Sequence, residues 1–115
     1  MPGISVFHAR DRAFEPYPAA TREGSHGHAQ IARLVGRQNS QSMGGGVAIY
    51  ERLTVDWDLP FDEFITVIEG SLRVISAGVA HDLGPGDLAW FPAHTPLTYE
   101  VAERAVVSYA IFPLP

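Results

Sequence analysis

Asp56, Asp58 and Glu63 place three carboxylates close together in the chain, and Tyr50 and Arg52 lie just ahead of them. Converging carboxylates can hold a hard divalent cation such as magnesium, calcium or manganese. They can also push one another's proton affinities apart, leaving an acid and a base near neutral pH. Tyr50, Arg52, Asp56 and Asp58 share one parity, so on a regular strand they point to one side. A buried Arg–carboxylate network is the plainer outcome for such groups. Trp57 has the opposite parity and is expected to pack or to sit in an interface. Tyr99 and His94 come later and would help to orient a small polar ligand.

Other polar residues are weaker candidates. His26 and His28 form a His-x-His pair near Glu23. On a strand they would share a face and suit a metal, but a solvent-exposed loop pair is the expectation. His94 lies between Pro92 and Pro96, at the mouth of a barrel or facing solvent. His81-Asp82 precedes a turn and reads as surface. Gly44-Gly45-Gly46 lacks the Lys and Ser/Thr that complete a phosphate-binding loop. No Ser–His–Asp arrangement is legible.

These residues must be positioned by strands. Nine prolines and eleven glycines cut the chain into short pieces, and no window carries a helical apolar period. Strands are expected at Ala29–Val35, Val47–Asp58, Phe64–Glu69, Leu72–Ser76, His81–Leu83, Ala89–Phe91, Leu97–Ala102 and Ala105–Phe112. Turn signals between them give the pattern of a sandwich or small barrel. In the long run Val47–Asp58, the residues Val47, Ile49, Leu53 and Val55 form the other face. Residues 1–28, with Pro2, Pro16 and Pro18, read as an irregular arm. Phe7, Phe14 and Tyr17 within it would dock on the barrel or on a second subunit.

Composition narrows the class further. The length of 115 residues suits one domain. Apolar residues make up 46% and charged residues 18%, a globular balance. The net charge of −5 argues against nucleic acid or an anionic membrane as partner. There is no cysteine, which removes disulfides, thiolate nucleophiles and sulfur-ligated metals and weakly favours the cytoplasm. The first residues contain neither a signal peptide nor a membrane span.

Two segments carry a resemblance. Asp62–Gly70 reads as a strand ending in a tight turn. Gly84-Pro85-Gly86-Asp87 feeds a strand that stops at Pro92. Together they resemble the two signature motifs of the cupin family of β-barrels. The metal-binding form of those motifs has His-x-His, then Glu, then a later His. Six residues separate Glu63 from Gly70, as the motif requires. Counting back from Glu63 puts Asp56 and Asp58 at the paired histidines, and aligning on Pro92 puts Leu97 at the third. The histidines that hold a cupin transition metal are therefore missing, and no such metal is expected. Ser42–Gly46, Trp57–Glu63, Val67–Gly70 and Ser108–Pro113 further resemble the ethanolamine-utilisation (EutQ-like) cupins, over roughly residues 42–113. That resemblance implies a bacterial, cytoplasmic, single-barrel protein, commonly dimeric, tied to ethanolamine catabolism, with an acetate-kinase-like activity proposed for the family.

The expected fold is therefore an all-β, single-domain cupin jelly-roll barrel over residues 29–115, preceded by the arm 1–28. The expected catalytic residues are Glu63, Asp58 and Tyr99. Tyr50, Arg52, Asp56, His94, Leu97 and Tyr109 would surround a small polar molecule. A homodimer is expected, with the Val47/Ile49/Leu53/Val55 face and the arm covered by the partner. Three functions fit: a ligand-binding or enzymatic cupin of amino-alcohol or acetyl-phosphate metabolism, a non-catalytic sensing or structural cupin, and a metal enzyme with atypical carboxylate ligands.

Overall fold

A computed structural model describes residues 3–17 and 26–115. Among these residues the structure is built from eight strands and one short 3-10 turn, Ala9–Asp11. The strands are β1 Glu15–Pro16, β2 His26–Val35, β3 Gly44–Trp57, β4 Asp62–Gly70, β5 Leu72–Ser76, β6 Val79–Leu83, β7 Leu88–Phe91 and β8 Leu97–Phe112. No helix among the described residues is long and apolar enough to cross a membrane.

The strands form one antiparallel network in the order β1-β2-β3-β8-β4-β7. β8 is the hub. Along its whole length it pairs with β3, from Gly44↔Ile111 to Trp57↔Leu97. Its second half also pairs with β4, as in Ile65↔Tyr109 and Val67↔Val107. Its first half pairs instead with β5, as in Val74↔Tyr99. β3 and β8 thus pass through both faces of the jelly roll, with β4–β7 on one branch and β5–β6 on the other. The two expected strands Leu97–Ala102 and Ala105–Phe112 are one strand. Three exposed residues, Ala102–Arg104, mark where it bends between branches.

That bend decides which side chains face the core. The β3–β8 register shifts between Glu51 and Leu53, and Arg52 between them has φ of 45°. This is a β-bulge, in which an extra residue kinks the strand and reverses the alternation after it. Ala48 and Tyr50 face the core before the bulge, and Leu53, Val55 and Trp57 face it afterwards. The expected single parity along Val47–Asp58 is therefore corrected. Leu53 and Val55 are core residues and cannot form a partner-covered outer face. On β2, Gly27 (φ 102°) lies opposite the bulge, and a Cβ there would collide with the Arg52 carbonyl and the Leu53 backbone. Only glycine accepts both the conformation and the contact.

The core is a single apolar cluster that includes Leu53, Val55, Ile65, Val67, Leu72, Val74, Leu97, Val101, Ala105 and Val107. The expected boundary between residues 28 and 29 falls inside β2. His26 pairs with Thr54 and His28 with Glu51, while Glu15–Pro16 of the arm already adds a strand to β2. Residues 1, 2 and 18–25 of the expected arm lie outside the described residues.

Candidate functional site

Glu63 heads a row that runs down the inner face of β4, with Ile65 and Val67 below it. Opposite these three on β8 stand Ile111, Tyr109 and Val107. On the other side Glu63 faces Phe91 of β7. Two contacts brace this end of the strand. The Asp62 carboxylate accepts a hydrogen bond from the Ala93 amide at 2.8 Å. The His94 amide donates to the Leu59 carbonyl at 2.8 Å. The turn before β7 is held by Asp87, whose carboxylate accepts from the Gly84 amide at 2.8 Å. The two signature segments thus lie side by side and fix the backbone on which Glu63 stands.

Glu63 lines a cavity of about 180 Å³ at the mouth of the barrel, together with Tyr17, Arg33, Tyr50, Trp57, Tyr99 and Tyr109 among others. The rings form a connected wall. Trp57 and Tyr99 meet edge-on, with centroids 5.9 Å apart, and so do Tyr50 and Tyr99 at 5.7 Å. Tyr17 stacks on Trp57 at 5.8 Å. Among the described residues the Glu63 carboxylate accepts no hydrogen bond and has no cationic partner. Burial alone raises its pKa from 4.5 to about 7, because desolvation penalises the charged form. Burial, reinforced by the charge of Glu63, raises Tyr50 and Tyr99 well above the usual phenol value. Tyr109 is pushed to about 12, chiefly by burial. The three phenols therefore keep their protons at neutral pH, while Glu63 exchanges its own. Arg33 reaches the rim, where it pairs with Glu15 and lies over the Tyr17 ring.

The other expected site residues lie elsewhere. Asp56 and Asp58 are exposed, because the bulge at Arg52 turns them outward and Trp57 inward. Asp56 accepts a hydrogen bond from Thr98 Oγ1 at 2.7 Å. Asp58 lies 3.7 Å from the exposed His94 imidazole. Arg52 is exposed too. It lines a separate, solvent-open crevice of about 640 Å³ with His26, Arg73, Asp82 and Glu100. Leu97 packs in the core. His26 and His28 are exposed, as expected, but they sit on β2 and not in a loop. Tyr50, Glu63, Tyr99 and Tyr109 do come together. Trp57, Tyr17 and Arg33 complete the cavity and were not expected there. The signal for Trp57 was its membership of the apolar series Leu53, Val55, Trp57.

The cupin fold raises the question of a metal. The inward positions ahead of Glu63 are Val55 and Trp57, neither of them a metal ligand, and Leu97 fills the facing wall. Among the described residues no group of three His, Asp or Glu side chains is placed to hold a metal ion. The donor set does not fit a metal centre, and the carboxylate site expected from Asp56, Asp58 and Glu63 is corrected accordingly.

The fold has many relatives of known structure. The chain superposes on the ethanolamine utilization protein Q of Salmonella typhimurium LT2 with a TM-score of 0.86 at 22% identity, covering 97% of this chain and 88% of that one. For an RmlC-like cupin from Shewanella frigidimarina the TM-score is 0.72 at 14% identity, covering 96% and 92%. These likenesses establish the cupin jelly roll. In sequence, 76 residues are 29% identical to a protein of Clostridioides difficile described as acetate kinase EutQ, covering 66% of this chain. The chain spans about half the length of that curated relative, 48%. The family model described as "Ethanolamine utilisation protein EutQ" matches residues 21–115. With nearly the whole described barrel inside that match, the chain belongs to the EutQ family of ethanolamine-utilisation cupins.

Proposed function

We propose that this EutQ-family cupin binds a small polar organic molecule in the Glu63 cavity and uses Glu63 to exchange a proton with it. The observation that carries the reading is a carboxyl group removed from water, without a partner among the described residues, in a cavity lined by four tyrosines. A pKa of about 7 suits a general acid–base group at neutral pH. In its neutral form Glu63 donates to a carbonyl or phosphoryl oxygen. In its ionised form it accepts from a hydroxyl or an ammonium. The phenols of Tyr50, Tyr99 and Tyr109 supply further donors that never ionise near neutral pH.

Size limits the ligand. A cavity of about 180 Å³ holds on the order of six waters and falls below the ~300–1,000 Å³ common for drug-sized ligands. Amino alcohols, acetate and acetyl phosphate are of suitable size. Gly44-Gly45-Gly46 begins β3 and pairs with Ile111, Ala110 and Tyr109, so it forms part of the ladder and not a phosphate loop. An acetate-kinase activity like that attributed to the Clostridioides difficile relative would draw its phosphate contacts from elsewhere. A second reading, a non-catalytic sensing cupin, draws support from the filled barrel below the cavity, where Leu97, Val67 and Val101 share the apolar core. The proposal includes a cytoplasmic homodimer. Its support is an apolar outer surface on β4 and β7, where Phe64, Leu88 and Trp90 are about half exposed, and sedimentation equilibrium gives its mass directly.

Calorimetric titration with ethanolamine, acetate and acetyl phosphate tests the site. Binding by the wild type that weakens at least tenfold in Glu63→Gln, with Asp58→Asn unchanged, is the expected result. Binding untouched by Glu63→Gln would remove this cavity as the site.

A further inference from the structure

The walls of the cavity differ from those of a general polar pocket. Among the described residues Glu63 is its one acidic side chain, and aromatic rings make up much of the lining around it. Tyr99 stands steeply to two of its neighbours, at 74° to Tyr50 and 82° to Trp57. Tyr17 backs Trp57, and Phe91 lies 6.2 Å from Tyr99. Tyrosine and tryptophan side chains lining one cavity with a carboxylate are the set of groups that attracts organic ammonium ions. We infer that the Glu63 cavity is a cage for a small organic ammonium cation, which pairs with the Glu63 carboxylate and rests against Tyr50, Trp57 and Tyr99. The inference rests on the reading of this cavity as a ligand site and names the ligand's charge.

Charge around the cavity favours a cation. Among the described residues Arg33, on β2, is the one basic side chain in the lining. Its guanidinium is committed to Glu15 and half exposed at the rim, where water screens it. Among the described residues the remaining titratable side chains facing Glu63 are Tyr17, after β1, Tyr50 on β3, and Tyr99 and Tyr109 on β8. The tyrosines of β3 and β8 stay neutral near pH 7. An ammonium ion therefore meets an uncompensated carboxylate, whereas an anion would meet it as a repulsive neighbour.

The sign of proton linkage distinguishes the two. A cation binds the ionised carboxylate, so the free protein must release the proton of Glu63. An anion prefers the neutral acid and would drive proton uptake. Titrations of the full chain with ethanolamine hydrochloride and tetramethylammonium chloride, in buffers of different ionisation enthalpy, read this directly. Tetramethylammonium has no proton of its own to lose. The expected result is proton release below pH 7, with affinity rising about 100-fold from pH 5 to pH 8. Glu63→Gln abolishes that rise and weakens both cations at pH 8. Asp58→Asn, outside the cavity, stays within about threefold of wild type. If acetate or acetyl phosphate binds with proton uptake while the ammonium salts do not bind, the cation inference fails and the ligand site stands. If none of the four binds, the inference and the proposed ligand site fall together.

Discussion

At the barrel mouth, Glu63 lines a cavity without a hydrogen-bond partner among the described residues, and burial lifts its pKa to about 7. On the outside of the β5–β6 ladder, Asp82 carries the same functional group. There the Arg73 guanidinium, 2.8 Å away, lowers its pKa, first through the hydrogen bond and then through charge. Arg73 is in turn held in its charged form by Asp82. The two carboxyl groups differ in solvent and in company, not in chemistry. The outer pair satisfies itself in water and has little left to offer a ligand. Among the described residues nothing satisfies the inner acid, which is the condition of a group kept for something that arrives from outside.

The sharpest way to break the comparison is to move a charge across the sheet. Val55→Asp places a carboxylate at a fully buried, partnerless position. The cost is several kcal/mol, comparable with the ~5–15 kcal/mol of a typical domain, and circular dichroism should show no cooperative melt. Asp56→Val, one residue on, changes an exposed position and should leave the melt almost in place.

The next effect is the pH dependence carried by Glu63. Its folded pKa lies above its unfolded value of 4.5, so the folded state holds the extra proton. Its contribution is fully present below pH 4.5 and is lost as the pH rises through about 7. The penalty at pH 8 is about 3 kcal/mol. Glu63→Gln should raise stability at pH 8 by up to that amount and leave pH 4 unchanged, as read by urea melts at both values. A smaller loss, about 2 kcal/mol, is expected for Gly27→Ala, whose Cβ meets the bulge backbone. The smallest belongs to the outer pair: Asp82→Asn is fully solvated and should leave the melting temperature within error.

Strand positions and turns were legible in the sequence because alternation and Gly/Pro punctuation report backbone periodicity directly. Seven of the strands lie where the alternation puts them, give or take a few residues. Glu63 was legible as the motif acid, and Tyr50 and Tyr99 as its neighbours. Asp56 and Asp58 were misread because facing was counted through Arg52 as if β3 were regular. Nothing local announces the bulge. Arg52 is not a glycine, and the odd-numbered apolar series from Val47 to Trp57 resumes at Leu53 after its one interruption, Glu51. Val47 is buried too, but outside the cluster that holds Ala48 and Tyr50, so both faces of the first half look apolar. The one residue that registers the bulge, Gly27, sits on another strand. Tyr17 and Arg33 join the cavity through pairings distant in sequence, which a single chain read in order does not display.

The place of β8 has a consequence for how the protein is made. Of the barrel strands it is the last to leave the ribosome, yet β3, β4 and β5 all wait for it. Until Leu97–Phe112 emerges, three strands carry open edges at once, and partners as distant as Gly44 and Ile111 have not met. Folding therefore waits for this strand and then runs on the millisecond-to-second scale of non-local β pairing. A chain stalled before Leu97 would present several sticky edges to its neighbours and none of the finished barrel.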